Sequence, residues 1–409
     1  MTDEKGQTAV HHAIIHDKYP ALLRLLAHKC DIFVANKMES NTPVHGACQL
    51  NRIECLRILL HHAQEQGNLN LAISARNKHY YTPLHVCAEE NRIECTKILL
   101  DYGVDINGYV EEILADHSKL MEKIDRLPPK LKQKHELQIA KHILNFHDDL
   151  LKEDVILCTT PLHLAAKRGY TDLVSIIIDT EINIVKILNA RNEQRQTALH
   201  LAAFGGHVQV VRLISQTGLA NPSIQDVRME TSLHLSSEAG SAETTELLLQ
   251  AGANPFLRDL KGKTPVEVAA RGNFVTLVDM IIKAERIHMK LSEGGQPTSV
   301  LQNIYFGSDT NVGTEHLRMI LYKLGTKKFR RDDWNTLAKH WRFTDIQIRC
   351  IEEQYIGKKG YKEHGHRFLL IWFFECLICQ RNPIKELYEG LVAIEHKDFA
   401  ESVRLMGWL

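Results

Sequence analysis

A four-residue pattern recurs seven times in the first two-thirds of this chain: Thr, a small residue, an apolar residue and, in all but the last copy, His. The copies read TAVH from Thr8, TPVH from Thr42, TPLH from Thr82, TPLH from Thr160, TALH from Thr197, TSLH from Thr231 and TPVE from Thr264. Their starts lie 34, 40, 78, 37, 34 and 33 residues apart. A chain built this way stacks similar units side by side, each burying its apolar face against the next.

Nine residues after each Thr stand Asp17, Asn51, Asn91, Gly169, Gly206, Gly240 and Asn273. These are the residue types that reach a left-handed backbone at least cost, so a turn belongs there. An apolar face at helical spacing then returns, as Cys55, Ile58 and Leu59, as Cys95, Ile98 and Leu99, and as Leu247 and Leu248. Each unit reads helix, turn, helix. Thr caps the first helix, Pro fills its first turn where no amide donor is needed, and His is placed to bond the backbone of the neighbouring unit.

The T-P-L-H signature at this period resembles the ankyrin repeat. The resemblance implies an all-α solenoid of about seven repeats that binds proteins through its turn tips and first helices. Three repeats are expected over 1–107 and four over 156–285. The 78-residue interval exceeds one unit by 45 residues and carries two amphipathic patterns, one from Ile113 to Leu127 and one from Leu131 to Leu151, split by Pro128 and Pro129. A helical insertion over 108–155 is expected, with a decayed repeat as the alternative. Extra residues around Gln64 to Ile73 and Thr180 to Leu188 are expected to lengthen loops. The seventh motif, with Glu267 in place of His, and an apolar helix over 274–282 should close the stack with an outer face in water.

Residues 286–312 are expected to be a linker, most clearly from Ser292 onward, where Gly, Ser, Asn and Pro gather without a helical period. Helical periods return at 314–324, 331–340, 344–354, 363–380, 383–393 and 396–406, a six-helix bundle over 313–409. The runs DDWNTLAKHW from Asp332, FTDIQIRCIEEQ from Phe343, HRFLLIW ending at Trp372 and ELYEGLVAIEHKDFAESV from Glu386 resemble a death domain. The order of the two parts resembles the ankyrin repeat and death domain-containing proteins. The resemblance implies a core of Trp334, Leu337, Ala338, Ile348, Ile351, Leu369 and Trp372, and homotypic association with a death-domain partner. The run FLLIWFFECLIC from Phe368 is more apolar than a surface helix of that family needs, which leaves a hidden interface or a different helix boundary.

With 50 basic and 50 acidic residues among 409, bulk electrostatic binding to nucleic acid or to an anionic membrane is not expected, and any charge effect must be local. No stretch reaches the roughly 18 apolar residues of a membrane span, and no apolar signal-peptide core is seen, so the cytoplasm or the nucleus is expected, without membrane insertion. No dinucleotide fingerprint, phosphate loop or nucleophile elbow is present, and neither catalytic residues nor a cofactor are expected. Cys376 and Cys379, near His364 and His366, have the residue types of a metal site but share one continuous helical pattern, so no metal is expected.

What remains is recognition: a non-enzymatic signalling adaptor or scaffold, or alternatively an inhibitory or sequestering repeat protein whose C-terminal bundle is a structural cap. The positions just before each Thr give a candidate repeat interface of His79, Tyr80, Tyr81, Gln194, Arg195, Arg228 and Met229, with the tyrosines offering large contact area at low entropic cost. Residues 314–409 hold 17 basic and 13 acidic side chains. Lys327, Lys328, Arg330 and Arg331 are the candidate bundle interface, facing either an acidic partner surface or the chain's own repeats.

Overall fold

A computed structural model describes residues 2–104, 159–180, 184–293, 315–355 and 360–406. The chain divides into two compact units, Met1–Gly205 and Gly206–Leu409.

The first unit contains α1 (Ala9–Ile15), α2 (Tyr19–Ala27), α3 (Pro43–Gln49), α4 (Ile53–Glu65), α5 (Leu69–Ser74), α6 (Pro83–Glu89), α7 (Ile93–Asp101), α8 (Pro161–Arg168), α9 (Thr171–Thr180), α10 (Ile184–Leu188) and α11 (Ala198–Phe204). Each Thr motif opens a helix, with the Thr extended at the N-cap and His three residues on completing a reciprocal cap. The imidazole Nδ1 accepts the Thr backbone N–H, as in Thr42 to His45 at 3.3 Å and Thr160 to His163 at 3.1 Å. The proton is thereby placed on Nε2, which donates to a carbonyl of the next unit. His11 reaches Asn41 at 3.2 Å, His45 reaches Tyr81 at 2.9 Å, His85 reaches Thr159 at 2.7 Å and His163 reaches Gln196 at 2.9 Å. One side chain caps its own helix and ties two units together.

The turn residues Asp17, Asn51, Asn91 and Gly169 have φ of 52°, 55°, 53° and 75°. First helices stack in the order α1, α3, α6, α8, α11, and second helices in the order α2, α4, α7, α9. Because α6 packs directly on α8 and His85 bonds Thr159, the ladder is continuous across the 78-residue interval. The expected insertion at 108–155 lies outside the described residues. The two shorter excesses are not simple loops. The first extends α4 and adds α5, which buries Ala72 and Ile73, and the second includes α10, which buries Ile187 and Leu188. Apolar side chains at helical spacing pull these residues onto the stack.

The second unit contains α12 (Val208–Gln216), α13 (Ser232–Ala239), α14 (Ala242–Gln250), α15 (Pro265–Arg271), α16 (Val275–Glu293), α17 (Glu315–Lys323), a π-helical turn (Leu324–Lys328), α18 (Asp333–His340), α19 (Asp345–Glu352), α20 (Gly360–Ile378), α21 (Pro383–Ala393) and α22 (Lys397–Met406). Here too the repeat turns are left-handed, with φ of 65° at Gly206, 72° at Gly240 and 58° at Asn273. The helix α13 packs on α15 and α14 on α16.

Two expectations fail at this end of the stack. The final repeat helix does not stop near 282, and residues 286–293 are not linker, because α16 continues to Glu293. Its outer face does not meet water either, because α19 and α20 pack against it and bury Lys283, Glu285 and Arg286. Val266, Val278, Ile281 and Ile282 of the last repeat belong to the same apolar core as Trp334, Leu337, Ile351, Phe368, Leu369 and Trp372. The very apolar run at Phe368 is accounted for. It lies mid-way along α20, between α16 and the remaining helices, where Trp372 stacks on Trp341 at 4.1 Å.

Candidate interaction surface

Before five of the seven Thr residues the segment is a finger held by one side chain that the apolar pattern of the sequence does not reveal. An Asn or Asp stands five residues ahead of Thr82, Thr197, Thr231 and Thr264, and six ahead of Thr42. Its Oδ1 accepts two backbone N–H groups and closes the turn. Asn77 binds those of His79 and Tyr81 at 2.9 and 3.0 Å, Asn192 those of Gln194 and Gln196, Asp226 those of Arg228 and Glu230, and Asp259 those of Lys261 and Lys263. The recurring Asn or Asp was the signal available for it.

Two residues before the Thr, the backbone turns left-handed at Ser40, Tyr80, Arg195, Met229 and Gly262, with φ between 52° and 71°. A residue with a Cβ pays for that conformation. Three of the candidate interface residues, Tyr80, Arg195 and Met229, therefore occupy the strained position of three fingers.

In the first unit, Glu39 of one finger holds Lys78 at 2.7 Å and His79 at 3.1 Å on the next, and the Lys78 hydrogen bond keeps the Glu39 carboxyl below its usual range. Tyr81 is half-buried, with its ring stacked 5.6 Å from that of His85. Burial pushes its hydroxyl up. Tyr81 is thus part of the finger's footing, while His79 is exposed beside it. A cleft of about 320 Å³ opens between the fingers and the first helices, lined by Glu39, Asn77, His79, Tyr81, Glu89 and Glu90 among others. Glu89 pairs with Arg168 of the adjoining repeat. Gln194 and Arg195 are exposed on their own finger.

In the second unit, Arg228 is exposed and pairs with Glu230 at 2.8 Å, while Met229 is 40% and Leu260 70% exposed on adjacent fingers. Leu260 donates its amide to the Arg228 carbonyl at 2.9 Å, which fixes the spacing of these two fingers. Together they present an apolar strip with a basic edge.

The seam between the last repeat and the bundle is polar as well as apolar. Glu267 keeps the capping role of the missing His, accepting the Thr264 N–H at 3.1 Å, and its other oxygen accepts from Lys263 and from Arg349 of α19. Arg367 of α20 grips Asp279 through two nitrogens at 2.6 to 3.1 Å. Arg286 and Glu375 form a buried ion pair, and Gln354 donates to the Ala270 carbonyl at 3.0 Å. Burial raises the Glu285 carboxyl to about 7, against the opposing effect of the Gln347 hydrogen bond.

Trp334, Leu337, Ala338, Ile351, Leu369 and Trp372 are all buried in the shared core. Lys327, Lys328, Arg330 and Arg331 are exposed on the connector between α17 and α18, so they do not dock on the repeats of this unit. The Cys376 thiol lies 3.5 Å from a carboxylate oxygen of Glu386 and burial pushes its pKa up, which disfavours the thiolate a metal would need. Among the described residues no group of three His, Cys, Asp or Glu side chains is placed to hold a metal ion, and no helix is long and apolar enough to cross a membrane.

Family models agree with the repeat geometry. A model of ankyrin repeats in three copies matches residues 10–109 and 131–226, and a single ankyrin repeat matches 229–260. The chain belongs to the ankyrin-repeat family. As ankyrin repeats, its stacked units are protein-interaction modules. A transient receptor potential cation channel subfamily A member 1 homolog from Caenorhabditis elegans is 28% identical over 154 residues, covering 37% of this chain and 12% of the relative. Ankyrin repeat and SOCS box protein 11 from Danio rerio is 32% identical over 116 residues, covering 28% of this chain and 37% of the relative. The chain thus matches well under half the length of either relative. Among solved structures, the human ASB11 ankyrin repeat domain aligns at a TM-score of 0.44 and 20% identity, covering 64% of this chain and 92% of that one. The ankyrin repeat domain of Bcl-3 aligns at a TM-score of 0.48 and 19% identity, covering 67% and 99%.

Proposed function

We propose that this chain is a non-enzymatic scaffold whose ankyrin repeats capture a protein partner and whose C-terminal bundle closes the repeat stack. The observation that carries the first half is the construction of the fingers. A pinned turn holds the partly exposed Tyr80 and the exposed Arg195 and Met229 in a conformation that costs stability, and such strain is retained where side chains serve recognition. The preformed fingers lower the entropic cost of binding, because little backbone has to be ordered when the partner arrives.

The shared core supports the second half. A recruitment domain that swings on a tether would bury its own core and leave the repeat end capped separately, whereas here the ion pairs of Arg286 with Glu375 and of Arg367 with Asp279 form only because bundle and repeat are together. The adaptor reading, with homotypic association of a death-domain-like bundle, would have to use the bundle surface left over by this seam.

Two experiments divide these readings. A photo-crosslinking residue at position 80 or 195 should trap a partner that excess unlabelled protein competes away, and the same residue at Arg57 on the outer helix α4 should not; equal trapping at both would reject the finger surface. Light-scattering mass of the full chain across a concentration series should stay constant for a fixed cap, and growth with concentration would favour the self-associating adaptor.

A further inference from the structure

Within the second unit, the bundle turns one side of α20 to the last repeat, where Arg367 and Glu375 pair with Asp279 and Arg286, and Phe374 lies under Lys283. At 100° per residue, the midpoint between Gly365 and His366 falls roughly opposite the midpoint of those three. Gly325 of the π-helical turn closes on them, near enough that an added Cβ would come within 2.6 Å of the His366 amide nitrogen. The connector from Lys323 to Arg331 is therefore held on the side of α20 away from the last repeat.

That connector carries five exposed cations in nine residues: Lys323, Lys327, Lys328, Arg330 and Arg331. Among the described residues none of the five side chains forms an ion pair, and the Lys328 ammonium rests 4.8 Å over the Phe399 ring. Asp333 is already engaged by the Arg330 amide at 2.7 Å and by His396 at 2.9 Å, which leaves Asp332 as the exposed carboxylate beside them. On α17, Met319 and Tyr322 are 50% and 48% exposed and share a face with Lys323 at i, i+3 and i+4.

We propose that this outward face is a contact site for an anionic phospholipid surface, with the cations among the headgroups and Met319 and Tyr322 at the headgroup boundary. Four to eight clustered Lys and Arg beside exposed amphipathic side chains are what such a surface attracts. An acidic protein partner is the competing occupant. Specific protein recognition, however, concentrates on anchors in desolvated pockets, whereas these side chains are long and exposed, and among the described residues none is held by an ion pair. They suit a fluid layer of charge that demands density and no register. The chain as a whole has zero formal charge, so any attraction to such a layer must be local. The inference is independent of the protein-binding reading of the repeats.

The test uses the full chain and sedimentation with vesicles of phosphatidylcholine, with or without roughly 30% phosphatidylserine. Binding is expected only with phosphatidylserine, at about 0.1 M salt and not at about 0.5 M. Joint replacement of Lys327, Lys328, Arg330 and Arg331 by Ala should weaken it on the order of several hundredfold, since each cation near a membrane surface contributes roughly fivefold. Tyr322→Ser with Met319→Ser should weaken it several-fold with the charge unchanged. If the fourfold variant loses its thermal transition, Lys327→Ala with Lys328→Ala alone replaces it, with a loss of about 25-fold expected. No binding by the wild type, or binding unaltered in the charge variants, would overturn the proposal. So would binding of soluble poly-glutamate through these side chains without vesicle binding, which would assign the face to an acidic polypeptide.

Discussion

Glu267 and Arg349 meet where an eighth repeat would begin. In the earlier motifs the His Nε2 reaches out of its own unit to the next, as in His234 to the Lys263 carbonyl at 3.1 Å. Glu267 occupies the same motif position and performs the same two tasks, capping its helix at Thr264 while its outer oxygen accepts from Arg349 of the bundle. A carbonyl-seeking donor has been exchanged for a guanidinium-seeking acceptor, because the seventh repeat meets α19 and not another finger. Although burial opposes it, the Thr264 amide and Lys263 keep the Glu267 carboxyl below its usual range.

Replacing Glu267 by His should therefore leave the helix cap serviceable and weaken the seam. Stability should fall by about 1–3 kcal/mol, the cost of a lost charged hydrogen bond and of Arg349 facing an imidazole. Hydrogen exchange is the direct readout: protection should drop in α19 and α20 more than in α15. A uniform loss, or none in α19, would show that Glu267 serves only its own helix.

The motif histidines make the stack acid-sensitive. Burial lowers the pKa of His45, His85 and His163 to about 4, and the geometry explains why, since Nδ1 accepts an amide proton and cannot be protonated without breaking the cap. The unfolded chain takes up these protons near pH 6.5, whereas the folded chain resists until about 4. The stability they contribute is thus complete above pH 6.5 and lost as pH falls toward 4. At pH 5 the loss is about 2 kcal/mol per histidine. Urea midpoints at pH 7 and pH 5 measure it, and a pH-independent midpoint would contradict the assigned tautomer.

Glu285 runs the opposite way. Its carboxyl is raised to about 7 by burial at the seam, where Gln347 donates to it at 2.8 Å and Glu267, Arg258 and Arg286 are the charges that act on it. Between about pH 4.5 and 7 the folded chain holds a proton that the unfolded chain has released, so stability falls as pH rises through that range and the cost is complete above pH 7. Glu285→Gln keeps an acceptor for Gln347 and removes that cost. It should raise the thermal midpoint at pH 8, by the equivalent of about 1–3 kcal/mol, and change it little at pH 5. A gain of the same size at both values would point to packing instead of charge.

Much of this was legible because it is local. The Thr, the His three residues on and the Gly, Asn or Asp nine residues on act within one turn or one helix pair, so their spacing carries the geometry, and the six C-terminal helices come from their apolar period. The seam was not legible, because Lys283, Glu285 and Arg286 read as solvent-facing residues just past a closing helix. Glu285 is met by Gln347, 62 residues on, Arg286 by Glu375, 89 residues on, and Lys283 by the Phe374 ring. No local pattern announces a partner that far along the chain. The finger Asn and Asp were a different kind of miss. Their recurrence is visible in the sequence, but a search for apolar periods does not look at polar turn residues.

The fingers allow binding and stability to be separated at one residue. Tyr80 sits at φ 59°, where a Cβ is disfavoured and Gly is at ease. Its carbonyl accepts from Arg76 at 3.2 Å and its amide donates to the Asn77 carbonyl at 2.9 Å, contacts of the backbone that no substitution of the side chain removes. Tyr80→Gly should consequently be neutral or stabilising by up to about 1 kcal/mol, even though a large side chain is deleted. If Tyr80 is a recognition residue, the same variant should lose partner capture, with a penalty on the order of 1–2 kcal/mol in affinity. The opposite pattern, a destabilised fold with capture intact, would mean that Tyr80 is packed like Tyr81 and serves the finger rather than the partner.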